Sequence, residues 1–136
     1  MKIRVGELKS LIREMLIVQT MVGPSQISGN GVYAAQFIPM GKVISKWVSG
    51  FDRKFPIDYP STLPKNARNI FEKFASCDGN SWFLSGDDGR YFNHSDIPNV
   101  CVVEHEGSPA TWNKVAARDI LPGEELTMNY VEIELI

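Results

Sequence analysis

Cysteine is scarce in this chain, with Cys77 and Cys101 the only two among 136 residues. Two thiols are too few for a disulfide framework, and they suit a reducing compartment. Long apolar runs are missing too. No stretch approaches the ~18 residues of a membrane span, and Gly6, Glu7, Lys9, Arg13 and Glu14 interrupt any signal-peptide core. The expectation is an intracellular protein, cytoplasmic by default, with a nuclear location open. An excess of positive charge is also absent: the formal net charge is -2 and the isoelectric point is near 5.7. Direct nucleic-acid binding, which needs clustered Lys and Arg to displace counterions from phosphates, is therefore not expected. Repeats, low-complexity tracts and long linkers are lacking as well.

What is present describes one ordinary folded domain, with 43% hydrophobic and 22% charged residues. Residues 1 to 16 read as an amphipathic helix, because Leu8, Leu11, Ile12, Met15 and Leu16 follow the spacing of a single apolar stripe. Gly23, Pro24, Ser25 and Gly29 then break the periodicity, so residues 1–19 form an appendage and residues 20–136 the main domain. The apolar stripe needs a partner surface, either the chain's own sheet or, the favoured alternative, a second subunit in a homodimer. After Arg118 there is no Lys or Arg, yet Asp119, Glu124, Glu125, Glu132 and Glu134 follow, giving the last eighteen residues a charge of -5. Such a run is most often a solvated face; the alternative is that it attracts a basic peptide.

Short segments rich in β-branched and aromatic residues read as strands over residues 42–48, 81–84, 100–103, 111–116 and 126–128. Ile38-Pro39-Met40-Gly41 and Leu121-Pro122-Gly123-Glu124 read as turns, the second placing Gly where a type II turn needs positive φ. Between Pro64 and Phe74, Ala67, Ile70, Phe71 and Phe74 recur at helical spacing. Periodicity alone supports a small, mostly β, α+β domain.

Three segments carry the chemistry. Gly29-Asn30-Gly31-Val32-Tyr33-Ala34 frames its backbone with glycines, which permit close approach to a ligand. It is no dinucleotide fingerprint, since no G-x-G-x-x-G follows a strand and opens a helix. Arg90-Tyr91-Phe92-Asn93-His94-Ser95-Asp96-Ile97-Pro98-Asn99 gathers two Asn amides, an imidazole and a guanidinium, a set suited to a polar, zwitterionic ligand. The last, from Asp119 to Tyr130, runs through a turn and a short strand to a tyrosine. In this order and at these separations the three resemble the SET-domain protein-lysine methyltransferases, over roughly residues 20 to 132.

That resemblance implies a β-clip fold with residues 50–80 as its variable insert, and a C-terminal pseudoknot that sets Asn93-His94 beside Tyr130. It implies S-adenosylmethionine as cofactor, held by Asn30, Gly31, Arg90, Asn93 and His94, and Tyr130 as the catalytic residue. The substrate implied is a basic, lysine-containing protein or peptide, histone-like at the family level. The chain stops six residues after Tyr130, so the Cys-rich segment that closes the lysine channel in many members is not expected here. A rival reading is a catalytically silent SET-like module that binds a basic peptide or partner; a third keeps the enzyme but changes the acceptor to another nucleophile. Zinc is rejected, because Cys77, His94, Cys101 and His105 contain no C-x2-C or H-x3-H pair.

Overall fold

The computed structural model describes residues 18–131. The amphipathic stretch over residues 1–16, the dimer reasoned from it, and Glu132 and Glu134 lie outside the described residues. Strand β1 (Thr20–Pro24) turns back into β2 (Asn30–Ala34), followed by β3 (Val43–Ser45) and β4 (Arg53–Pro56). One α-helix, α1 (Lys65–Phe74), precedes β5 (Ser76–Cys77), β6 (Ser81–Leu84) and β7 (Asn93–His94). Then come β8 (Val100–Val103), β9 (Asn113–Ala116) and β10 (Glu125–Met128).

The strands form three small sheets, ordered β1-β2-β10-β7, β3-β9-β8 and β4-β6-β5. In the first, β10 is antiparallel to β2 and parallel to β7, with Thr127 opposite Asn93 and Met128 opposite His94. A parallel pair cannot be joined by a tight hairpin. Here β8, β9 and the Pro122-Gly123 turn form the connection. Covered by β2 and β7, β10 buries Leu126, Thr127 and Met128 in succession, the continuous pattern of a strand enclosed on both faces. Leu126 and Met128 join Val32, Ala34, Ile38, Val100 and Ile120 in the core. Ile38 and Ile120 exchange backbone hydrogen bonds of 2.9 and 2.8 Å, locking the two Pro-containing turns side by side.

The insert carries its own aromatic core. Phe71 of α1 meets Phe55, Tyr59 and Trp82 with ring centroids 5.1, 5.2 and 5.6 Å apart, in the edge-to-face arrangements that aromatic rings prefer. Ile70, although at apolar spacing, is 61% exposed, because that core reaches only the Phe71 side of the helix.

Strands 81–84 and 100–103 lie where the sequence places them. The strand expected over residues 42–48 stops at Ser45, because the Asp52 carboxylate accepts from the Val48 N–H at 2.7 Å and the chain turns there. That expected over 111–116 begins at Asn113, after a turn of 3-10 helix at Pro109–Thr111. The first Pro turn closes one residue later than read: the Lys42 N–H reaches the Pro39 carbonyl at 3.1 Å, with Gly41 at φ 84°. The second forms as read, Glu124 N–H to Leu121 O at 3.1 Å with Gly123 at φ 90°.

Candidate functional site

Tyr130 lies two residues beyond the end of β10, and the parallel pairing with β7 delivers it to Phe92 and His94. Its hydroxyl donates to the Phe92 carbonyl at 2.5 Å, and its backbone N–H donates to His94 Nδ1 at 3.0 Å. The two rings meet edge to face at 5.2 Å. Because Nδ1 accepts, the ring proton belongs on Nε2, which faces Asp96 Oδ1 at 2.9 Å. His94 thus holds the backbone leading into Tyr130.

Asn93 works inward. Its buried amide nitrogen donates to the Ser28 carbonyl at 3.1 Å, the Asn30 carbonyl at 3.4 Å and Glu125 Oε2 at 2.9 Å. Ser25 Oγ donates to the other Glu125 oxygen at 2.7 Å. This carboxylate occupies the space a side chain at position 31 would fill: a Cβ on Gly31 would sit 2.5 Å from Glu125 Oε2. Gly31 therefore admits Glu125, and Glu125 with Asn93 ties the glycine segment to β7. Asn99, 3% exposed, is likewise spent within the fold, donating to the Glu125 carbonyl at 2.8 Å and accepting from the Thr127 N–H at 2.9 Å.

A cleft of about 310 Å³ opens over these groups, walled by Gly29, Asn30, Arg90, Asn93, His94 and Tyr130, with Lys73, Phe74, Tyr91 and Phe92 beside them. Of the six residues singled out from the sequence, five are brought together here, and Gly31 lies behind the wall. Gly29, at φ 46°, takes the left-handed conformation that turns the loop into β2. A second cavity of about 170 Å³ shares Arg90, Phe92, Tyr130, Lys73 and Phe74 with the first, and adds Trp47, Phe83, Met128 and Lys114. Tyr130 stands where the two meet. Arg90 donates through Nε and Nη2 to the Ser85 carbonyl at 3.0 and 2.7 Å, which pins its guanidinium between them.

The three carboxylates of the acidic run that lie among the described residues are each engaged within the chain. Glu125 is held as above, Asp119 accepts from the Met40 N–H at 2.8 Å, and Glu124 binds the Leu121 N–H at 2.8 Å and Arg118 at 3.1 Å. Those bonds, the backbone one first, hold the Glu124 carboxyl below its ordinary value. On the inner wall, burial pushes the Lys114 ammonium below the ordinary lysine range, while Asp87 and Asp52 oppose the shift. Among the described residues no three His, Cys, Asp or Glu side chains gather as metal ligands, and no described helix is long and apolar enough to cross a membrane.

Sequence reasoning took Asn99 for a ligand-facing amide and Glu125 for part of an acidic run, and passed over Lys73 and Lys114. Glu125 carried one signal, a carboxylate two positions before a buried polar residue in a strand core; its neighbour Gly31 lies ninety-four positions away and only folding brings them together.

The SET domain model matches residues 29–131. A search of curated proteins finds no match. Among solved structures, the chain superposes on the Neurospora SET domain protein DIM-5, a histone lysine methyltransferase, with TM-score 0.60 and 18% identity, over 90% of this chain and 55% of that one. It superposes on the Chaetomium thermophilum Polycomb Repressive Complex 2 with TM-score 0.61 and 22% identity, over 83% of this chain and 16% of that one. A candidate histone methyltransferase of Plasmodium falciparum gives 0.56 and 23%, over 83% and 93%. The chain thus spans about half of the Neurospora protein and a small part of the Chaetomium one. At these identities the likeness is one of fold, and the family model, covering the glycine segment, the Asn-His pair and the tyrosine together, is what shows that the chain belongs to the SET domain family.

Proposed function

We propose that this protein is an S-adenosylmethionine-dependent methyltransferase acting on a lysine side chain of a basic, histone-like protein, with Tyr130 as the catalytic residue. The observation that carries the reading is that Tyr130, its hydroxyl held by the Phe92 carbonyl, lines both cavities. The larger cleft suits the cofactor. Lys73 and Arg90 supply cations for a carboxylate, Asn30, Asn93 and His94 line it with neutral polar groups, and Phe74, Tyr91 and Phe92 supply aromatic walls for a purine and a sulfonium. Its volume lies at the small end of the range for ligand clefts. The cofactor supplies an activated methyl group on sulfur. The protein orients the acceptor: the Phe92 carbonyl fixes the phenol hydroxyl, and the hydroxyl directs the amine by hydrogen bonding. Proximity and orientation supply much of the rate. In the smaller cavity the rings of Trp47, Phe74, Phe83 and Phe92 offer packing surface for the amine's alkyl chain.

A homodimer belongs to the same reading. It is supported by β1, an edge strand of its sheet, whose Met21 and Val22 are exposed. The deciding experiment is incubation with methyl-labelled S-adenosylmethionine and core histones, followed by mass spectrometry. Label on a lysine supports the reading; cofactor binding without transfer to any offered protein favours the silent module.

A further inference from the structure

The smaller cavity has an electrostatic bias: Lys73, Arg90 and Lys114 line it against one carboxylate, Glu72. Two of the cations have contacts of their own. Arg90 is bound to the Ser85 carbonyl, and the Lys73 ammonium lies 5.4 Å from the Phe74 ring centroid. Lys114 has no hydrogen-bond or ion-pair partner among the described residues. It stands on β9 opposite Ser45 and Val102, neither of them charged. The charged and titratable groups around it are Asp52 and Asp87 through space, and Glu72, Lys73, Arg90 and Tyr130 on the shared wall. Asp52 is held by the Val48 and Gly86 N–H groups, each at 2.7 Å, and Asp87 by the Gly89 N–H at 2.8 Å and the Ser45 hydroxyl at 3.4 Å. Both carboxylates are therefore fixed on the Lys114 side.

Resting on the methyltransferase reading, we propose that Lys114 is a positioning residue that admits the acceptor lysine only as the free amine. A second ammonium in a cavity of only about 170 Å³ meets like-charge repulsion at close range, so two amines there share a single proton. Asp52 and Asp87 decide which one keeps it, because they stabilise charge on Lys114. The acceptor gives up its proton to solvent on entry, and its nitrogen lone pair is then available to form the new N–C bond as the C–S bond pair returns to sulfur. Burial alone disfavours the acceptor's charged form; a resident cation sharpens that preference and makes it depend on one replaceable side chain.

The test is the single-turnover rate of methyl transfer to a histone peptide between pH 6 and 10 for wild type, Lys114→Met and Lys114→Arg. Lys114→Met should move the alkaline rise up by about one pH unit, a roughly tenfold slower rate at pH 7 that converges with wild type at high pH. Lys114→Arg, charged throughout this range, should keep the wild-type midpoint. Superimposed profiles for wild type and Lys114→Met would overturn the proposal, as would an equal loss at every pH or methyl found on Lys114 itself. Cofactor affinity by calorimetry establishes that each variant is folded, and Lys114→Gln replaces any Met variant that is not. A wild-type protein that transfers no methyl group sinks the underlying reading and this proposal with it, an outcome distinct from superimposed profiles.

Discussion

The Asn93 amide and the Glu125 carboxylate meet at 2.9 Å, linking the strand that carries the Asn-His pair to the glycine segment through space left open at Gly31. One buried contact therefore sets the separation of two of the three sequence motifs. Removing either partner strands the other, and for a charged hydrogen bond that costs more than the bond contributes when made.

Gly31→Ala is expected to destabilise the fold by about 1–3 kcal/mol, the usual range for overpacking, because its Cβ would lie 2.5 Å from Glu125 Oε2 and the carboxylate must leave Asn93. Chemical denaturation measures the loss, and calorimetry with S-adenosylmethionine should show weaker binding in the same variant. Wild-type stability would mean that Glu125 moves aside freely and that the contact is dispensable.

Asn93→Ala should weaken cofactor binding by ~1–3 kcal/mol, with the Ser28 and Asn30 carbonyls and the Glu125 carboxylate all losing their donor. Since the amide points into the fold, the expected route is displacement of the Gly29-Asn30 loop. Unchanged affinity in a folded variant would refute a role for Asn93 in shaping the cleft.

For Tyr130→Phe, turnover and binding should separate. The ring keeps its packing on His94 while the hydroxyl that reaches Phe92 is gone, so a rate loss of roughly 10²-fold or more is expected at unchanged cofactor affinity. Methylation at the wild-type rate would make Tyr130 structural.

Asn99→Ala removes a carboxamide that substitutes for a neighbouring strand along β10. It leaves the Glu125 carbonyl and the Thr127 N–H without their partner, at a cost of about 1–3 kcal/mol for each buried group left unsatisfied. Thermal unfolding reports it directly, and a variant as stable as wild type would show that β10 is held by β2 and β7 alone.

Glu124 gives the fold a small dependence on acid. Its carboxyl lies below its ordinary value of 4.5 when folded, so its contribution is complete above that pH and is lost as pH falls through the folded-state value. Glu124→Gln should therefore be less stable at neutral pH, by no more than about 1 kcal/mol for so exposed a group, with the difference closing in acid. A gap that persists at pH 2 would assign the effect to the side chain's shape instead of its charge.

Much of the fold was legible in local pattern. Alternation and β-branching located β6 and β8, and the chemistry of Pro and Gly located the Leu121–Glu124 turn, since each depends on residues close in sequence. The order of motifs identified the family and grouped Tyr130 with Asn93 and His94, because a family pattern encodes contacts that span the chain. What the sequence could not assign were the partners of individual polar groups. Asn93 and Asn99 look equally fit for a ligand as letters, yet one ties the glycine loop to Glu125 and the other completes a strand. Gly31 reads as an approach to the cofactor, and only the fold shows that its missing Cβ also leaves the opening for Glu125. Lys114 reads as an ordinary strand lysine until the sheets set it on the wall beside Tyr130. Conformational preference is a property of neighbouring residues, so sequence alone determined it; a side chain's hydrogen-bond partner and local dielectric come from residues tens of positions away, so only the tertiary structure decided those.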